Sequence, residues 1–196
     1  MIKGMDRAKT KLSTDKLLIR GSIALFTLCI VTAYILHPHW VTFSHLALQL
    51  YTLPFFLCAM TVTIFLLLHT GKKLKAHDLH IAGTTMYLSA ACVGLVVLIP
   101  YKGSDTQIAL HNAAALFFVL FAAVGLAWLA RKLHDITLGL SSAFQAGVCV
   151  LELILLARFD QHPVQPWVWV ALQLFVTFVL LLSLLRIFSL LEKLKR

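Results

Sequence analysis

Charge is what this chain lacks. Only 13% of its 196 residues are Asp, Glu, Lys or Arg, while 60% are hydrophobic. A water-soluble domain carries roughly 25% charged residues to cover its surface, so a water-facing globule is excluded. No polar stretch is long enough to build the core of a second, soluble domain. Acidic residues are the scarcest, eight against 17 Lys and Arg, and the net charge is +9. Such an excess can mark a nucleic-acid binder. Here the basic residues stand at the ends of apolar runs, where a membrane places them, and no nucleic-acid partner is expected. The four cysteines, Cys29, Cys58, Cys92 and Cys149, each lie inside an apolar run without a CxxC pair. They read as small buried hydrophobes, and no disulfide is expected. A Gly-rich phosphate loop, a GxSxG elbow and an HExxH helix are all missing. No small-x-small cleavage site precedes His37, so the first apolar run is not expected to be a cleaved signal.

What the chain has is long apolar runs. About 20 mostly apolar residues are needed to cross a hydrocarbon core about 30 Å thick. Six runs meet that length, at 18–36, 46–68, 80–100, 109–130, 138–157 and 166–188. Short polar segments separate them: HPHW at 37–40, HTGKKLKAHD at 69–78, PYKGSDTQ at 100–107, RKLHD at 131–135 and RFDQHPVQP at 158–166. The fold class expected is therefore an all-α, six-transmembrane-helix bundle, with consecutive helices antiparallel. Its organisation is a basic N-terminus at 1–17, the bundle at 18–190 and a basic tail at 191–196. Pro54 lies inside the second run and is expected to kink it.

The basic residues orient the bundle. Lys3, Arg7, Lys9, Lys11, Lys16 and Arg20 precede or open the first run. Lys72, Lys73 and Lys75 follow the second, Arg131 and Lys132 the fourth, and Arg186, Lys193, Lys195 and Arg196 close the chain. Only Lys102 and Arg158 fall on the other side. This alternation puts both termini in the cytoplasm, N-in and C-in, of a bacterial-type inner membrane. Trp40, Tyr101, Trp167 and Trp169 then sit at the outer headgroup level, and Trp128 near the inner one. A shift of 57 residues superposes Lys75, His77, Asp78 and Cys92 on Lys132, His134, Asp135 and Cys149. That pattern suggests that helices 2–3 and 4–5 form a parallel repeat.

Nine histidines are many for such a chain. The orientation places His37, His39, His45, His111 and His162 at the outer face, and His69, His77, His80 and His134 at the inner one. His45 opens helix 2, His111 opens helix 4, and Glu152 lies roughly 7 Å below the outer end of helix 5 at 1.5 Å per residue. An ionisable group in a membrane helix is costly and is expected to face the bundle interior. Gln49 lies one turn below His45, and Gln173 could contribute from helix 6. The candidate ligand-binding set is His45, Gln49, Asp105, His111 and Glu152. Three readings compete for it: hydrogen-bonded structural glue, a site that binds or moves a small solute, proton or lipid headgroup, and a metal or haem site held by His45 and His111. A metal-dependent intramembrane hydrolase needs closer ligand spacing than His37–His39 or His77–His80 offer, and no catalytic residue is assigned. No cofactor is expected from motifs, haem b being the one the histidines could hold. The inner basic residues form a belt for anionic lipid, with Arg186 snorkelling to the headgroups.

Two family resemblances follow. The stretch from His80 through Gly94 to His111 resembles the ascorbate-reducible transmembrane cytochrome b family. That resemblance makes His45, His80 and His111 three of four haem ligands and implies electron transfer. The fourth is due between Val148 and Glu152, where no His stands. The segments HPHWVTFSHLAL, LIPYKGSD and IALHNAAALFFVLFA resemble the bacterial six-helix membrane family called domain of unknown function 998. Ser44, Pro100, Asp105 and His111 carry the match, which spans about residues 18–190. It implies a six-helix plasma-membrane protein with no activity to transfer, and His45 stands where that family has Glu. The leading expectation is a non-enzymatic protein that binds or moves a small ligand or lipid in the outer half of the bundle. A haem-binding electron-transfer protein and an assembly partner of another membrane protein, or of a second copy, are the alternatives. The orientation is checked by C-terminal reporters in a bacterial host: a fluorescent protein should fold and glow, and an alkaline phosphatase should stay inactive. The reverse result refutes the N-in, C-in reading.

Overall fold

The computed structural model describes the backbone of residues 2–36, 51–99, 104–158 and 166–194. It describes the side chains of 17–33, 35–36, 51–99, 104–155 and 172–194. Among the described residues the chain forms six α-helices and no strand: α1 (Ile2–Leu36), α2 (Leu53–Lys75), α3 (His80–Leu98), α4 (Asp105–Leu133), α5 (Ile136–Arg158) and α6 (Pro166–Leu194). Five of them, α2 to α6, contain segments long and apolar enough to cross a membrane, and α1 carries a shorter apolar stretch at Leu17–Ala33. No more than 44% of any of these five spans is buried. Most of each apolar surface thus faces outward, and large side chains such as Leu28, Phe65, Phe117 and Phe178 lie on the exterior. That distribution suits a solvent of lipid tails. The protein is an integral membrane protein with an all-helical bundle.

Helix ends differ from the sequence reading where caps decide. α2 does not stop before the basic HTGKKLK stretch but runs through it to Lys75. Lys72, Lys73 and Lys75 fill its last turn, where cations complement the exposed carbonyls. Pro54 falls in the first turn of α2, where a missing N–H costs nothing, so it starts the helix instead of kinking it. α4 begins at Asp105, four residues before the apolar run. The Ser104 hydroxyl accepts from the Gln107 N–H at 3.4 Å, and the Ser104 N–H donates to Gln107 Oε1 at 3.1 Å. This S-x-x-Q capping box satisfies two otherwise orphaned groups. α1 extends back through the basic N-terminus to Ile2.

The tightest packing joins α2, α3 and α4, and small residues make it so. A Cβ on Gly71 would meet the Tyr87 ring at 2.7 Å and the Gly83 carbonyl at 2.9 Å. One on Gly83 would meet Lys75 at 2.6 Å. Gly125 of α4 lies against Thr85 and Met86 of α3 in the same way. Backbones approach this closely only where side chains vanish. Two serines add cross-helix bonds to backbone carbonyls: Ser89 to Phe118 at 3.3 Å, and Ser142 to Ala123 at 2.8 Å. α6 packs on α5 and returns onto α1, closing the bundle, and among the described residues these contacts are sparser than those among α2, α3 and α4.

The turns after α2 and α4 are built alike. Asp78 (φ 59°) and His134 (φ 50°) take left-handed backbone, and the next residue's N–H reaches back five residues, Leu79 to Leu74 and Asp135 to Ala130. Both are glycine-free versions of the Schellman stop. The structural correspondence is therefore Asp78 with His134 and Leu79 with Asp135, a shift of 56 and not the 57 that matches identities. The two aspartates consequently have opposite fates. Asp78 is exposed near His80, 3.6 Å away. Asp135 is buried, caps α5 by accepting from the Leu138 N–H at 3.0 Å, and receives Nε and Nη2 of Arg186 at 3.0 and 2.7 Å. Arg186 thus turns onto Asp135 and does not snorkel to the headgroups.

Burial pushes the Asp135 carboxyl upward. The Arg186 hydrogen bonds, the Leu138 and Thr137 N–H groups and the guanidinium charge outweigh that and hold it below its ordinary value near 3.8. A carboxyl lowered on folding stabilises the fold fully above its unfolded value and loses that contribution as pH falls through the folded value. Asp135→Ala, which removes cap and ion pair, should cost about 1–3 kcal/mol. Asp135→Asn, which keeps a capping oxygen, should cost less. Thermal unfolding in detergent should show the gap between wild type and Asp135→Asn closing only in strong acid. A gap that persists unchanged there would refute the assignment.

Candidate functional site

One cavity of about 80 Å³ opens among five helices. It lies in the half of the bundle that carries the α1–α2, α3–α4 and α5–α6 connections. Met60 and Thr63 of α2, Val93 and Val96 of α3, and Ala115, Phe118 and Val119 of α4 form most of its wall. Glu152 of α5 and Gln173, Val176 and Thr177 of α6 complete it. Each helix delivers its share by helical spacing: Ala115, Phe118 and Val119 sit at i, i+3 and i+4, as do Gln173, Val176 and Thr177. Glu152 lies six residues from the end of α5 and Gln173 seven from the start of α6. These offsets place both roughly 9–10 Å from their helix ends at 1.5 Å per residue.

The polar groups on this wall are not equivalent. Thr63 donates its hydroxyl proton to the Ala59 carbonyl at 3.0 Å, and Thr177 donates to Gln173 at 2.8 Å. Both hydroxyls therefore keep only acceptor capacity for anything else. Glu152 is half-buried and, among the described residues, has neither a hydrogen bond nor an ion pair. A carboxyl in a membrane span normally pairs or lines a path or site. Among its described residues the cavity thus presents a carboxyl, two hydroxyl acceptors and an amide in an otherwise apolar wall.

Of the residues expected from sequence, Glu152 and Gln173 line this cavity. His111 is buried one turn closer to the start of α4 than Ala115, on the same face, and does not line it. Its Nδ1 meets the Ile99 carbonyl at 2.6 Å, a bond that ties the end of α3 to α4. Asp105 is exposed in the first turn of α4. His45 and Gln49 lie outside the described residues, as do Ser44 and Pro100. His80 is 67% exposed at the far end of α3. Among the described residues no three His, Cys, Asp or Glu side chains gather as a metal site.

No family model, no curated protein and no solved structure matches the chain. The site therefore rests on its own chemistry.

Sequence reading missed Thr63, Thr177 and Phe118, which nothing in an apolar run distinguishes from core. It also passed over Gln145, for which a signal existed: an amide two turns from Glu152 on one face of α5. Gln145 is fully buried, and among the described residues neither amide atom meets a hydrogen-bond partner. Cys149 lies between them on that face, buried. The His111 tie yields a prediction. His111→Leu fills similar space without the bond and should cost about 1–2 kcal/mol, read as a lower unfolding temperature in detergent. An unchanged temperature would show that the Ile99 contact is immaterial.

Proposed function

We propose that this membrane protein binds or moves, in the outer half of the bundle, a small ligand or lipid with an apolar body and a polar head. The observation that carries this reading is Glu152. It is a carboxyl without an ion-pair partner among the described residues, set in the wall of a small cavity that Gln173, Thr63 and Thr177 also line. The other buried polar groups of the bundle divide differently: Ser89, Ser142 and Asp135 are spent on holding helices together. Structural glue of that kind is satisfied by its partner helix, whereas Glu152 is not. The loop-by-loop alternation of Lys and Arg supports the outward placement of the cavity and both termini in the cytoplasm.

The volume bounds the ligand. An apolar cavity of about 150 Å³ accommodates benzene, so 80 Å³ suits a head and not a whole drug-sized body. The body would lie along the helices, where lipid-facing apolar side chains continue the surface. A twelve-carbon amphiphile bearing a photoactivated diazirine, tried with an amine, an alcohol or a carboxylate head, tests the reading. At least one should label peptides containing Ala115 and Val176, and Ala115→Phe, which fills the cavity, should reduce that labelling several-fold. Labelling spread evenly over the lipid-facing surface and indifferent to Ala115→Phe would defeat the proposal.

A further inference from the structure

We infer that the cavity is selective for a primary ammonium group, the head of an aliphatic amine or of an amino-bearing lipid. This deepens the binding reading just proposed and rests on it. The selectivity follows from which hydrogen-bonding capacities face the cavity. Thr63 and Thr177 have committed their protons to the Ala59 and Gln173 carbonyls, leaving their oxygens as acceptors only. The Glu152 carboxylate is likewise an acceptor. Among the described lining residues no Lys, Arg or His offers positive charge, and the Gln173 amide is the one side-chain N–H donor.

A primary ammonium carries three N–H donors and no acceptor. It answers a carboxylate and two hydroxyl oxygens, whereas an anionic head would meet acceptors with its own acceptors. Phe118 also lines the cavity, and an aromatic ring attracts a cation that reaches its face. Size agrees, since water's share of the liquid is about 30 Å³ per molecule and the cavity holds about 80 Å³. An ammonium with one or two carbons fills that space, and the rest of an alkyl body passes out through the open side. Entry does not require a bare charge to cross hydrocarbon. A neutral amine and a protonated carboxyl form the same pair when one proton moves from the Glu152 oxygen to the amine nitrogen.

The three diazirine probes decide the matter on the intact protein in phosphatidylcholine nanodiscs. The amine-headed probe should label the Ala115 and Val176 peptides about tenfold better than the alcohol, and the carboxylate-headed probe least of all. Glu152→Gln, which preserves shape, should abolish the preference of amine over alcohol, with an unchanged helical circular-dichroism spectrum as the sign of an intact fold. Glu152→Asp should retain part of it. Equal labelling by amine and carboxylate heads, or an amine preference that survives Glu152→Gln, overturns the ammonium assignment while leaving cavity binding in place. Failure of all three probes overturns both. Competition separates the sources: loss of amine labelling in phosphatidylethanolamine nanodiscs identifies the lipid headgroup, and loss on adding ethylamine alone identifies a small soluble amine. Either supports the assignment.

Discussion

Inside a bilayer there is no water to satisfy a backbone amide, and this constraint governs the rest of the molecule. It forces the crossing segments into helices, and it removes the ordinary driving force between them, because lipid tails are as apolar as leucine. Helices must then be held by close backbone approach and by polar groups that find partners across an interface. The chain uses both devices unevenly. Gly71, Gly83 and Gly125 draw α2, α3 and α4 together, and Ser89 and Ser142 stitch α3 to α4 and α4 to α5. α5 and α6 lack a comparable glycine contact among the described residues, and the cavity opens where α6 meets the tight group. The site is thus a consequence of where small residues stop.

The same solvent gives each buried polar group a clear meaning. Thr27, Thr63, Thr85 and Thr177 return their protons to carbonyls of their own helices. That is the inexpensive way to carry a hydroxyl through hydrocarbon. It also strips the hydroxyls of donor capacity and gives the cavity its acceptor character. Glu152 and Gln145 stand apart because their helix cannot satisfy them. They share a face of α5, two turns from each other, with Glu152 on the cavity wall and Gln145 deeper in the bundle.

At the opposite end, Asp135 combines three tasks. It follows the left-handed stop of α4, caps α5 and anchors Arg186 of α6. One carboxylate therefore sets the angle between three consecutive helices, α4 to α6. This pair fixes α5 and α6 to each other at the end opposite the cavity.

Much of this was legible in the residues. Run length and the near absence of charge determine a helical membrane bundle, since nothing else buries 60% hydrophobic residues in so short a chain. The basic clusters mark the chain's ends and turns, and Glu152 and Gln173 announce themselves as polar groups in apolar spans. The capping box at Ser104 and the first-turn Pro54 were equally legible in principle, as local signals that hydropathy alone overrides. What only the tertiary structure decided is how helix faces rotate toward one another. Rotation brings Thr63 and Phe118 to the same space as Glu152, while leaving His111 one turn away on Ile99 and Asp105 outside. It also turns Arg186 inward onto Asp135. The physical reason is that lipid imposes no single buried face on a helix that is apolar all round. Orientation is therefore set by a few glycines and serines and by the Asp135–Arg186 ion pair, whose partners lie on other helices and cannot be read from spacing along one.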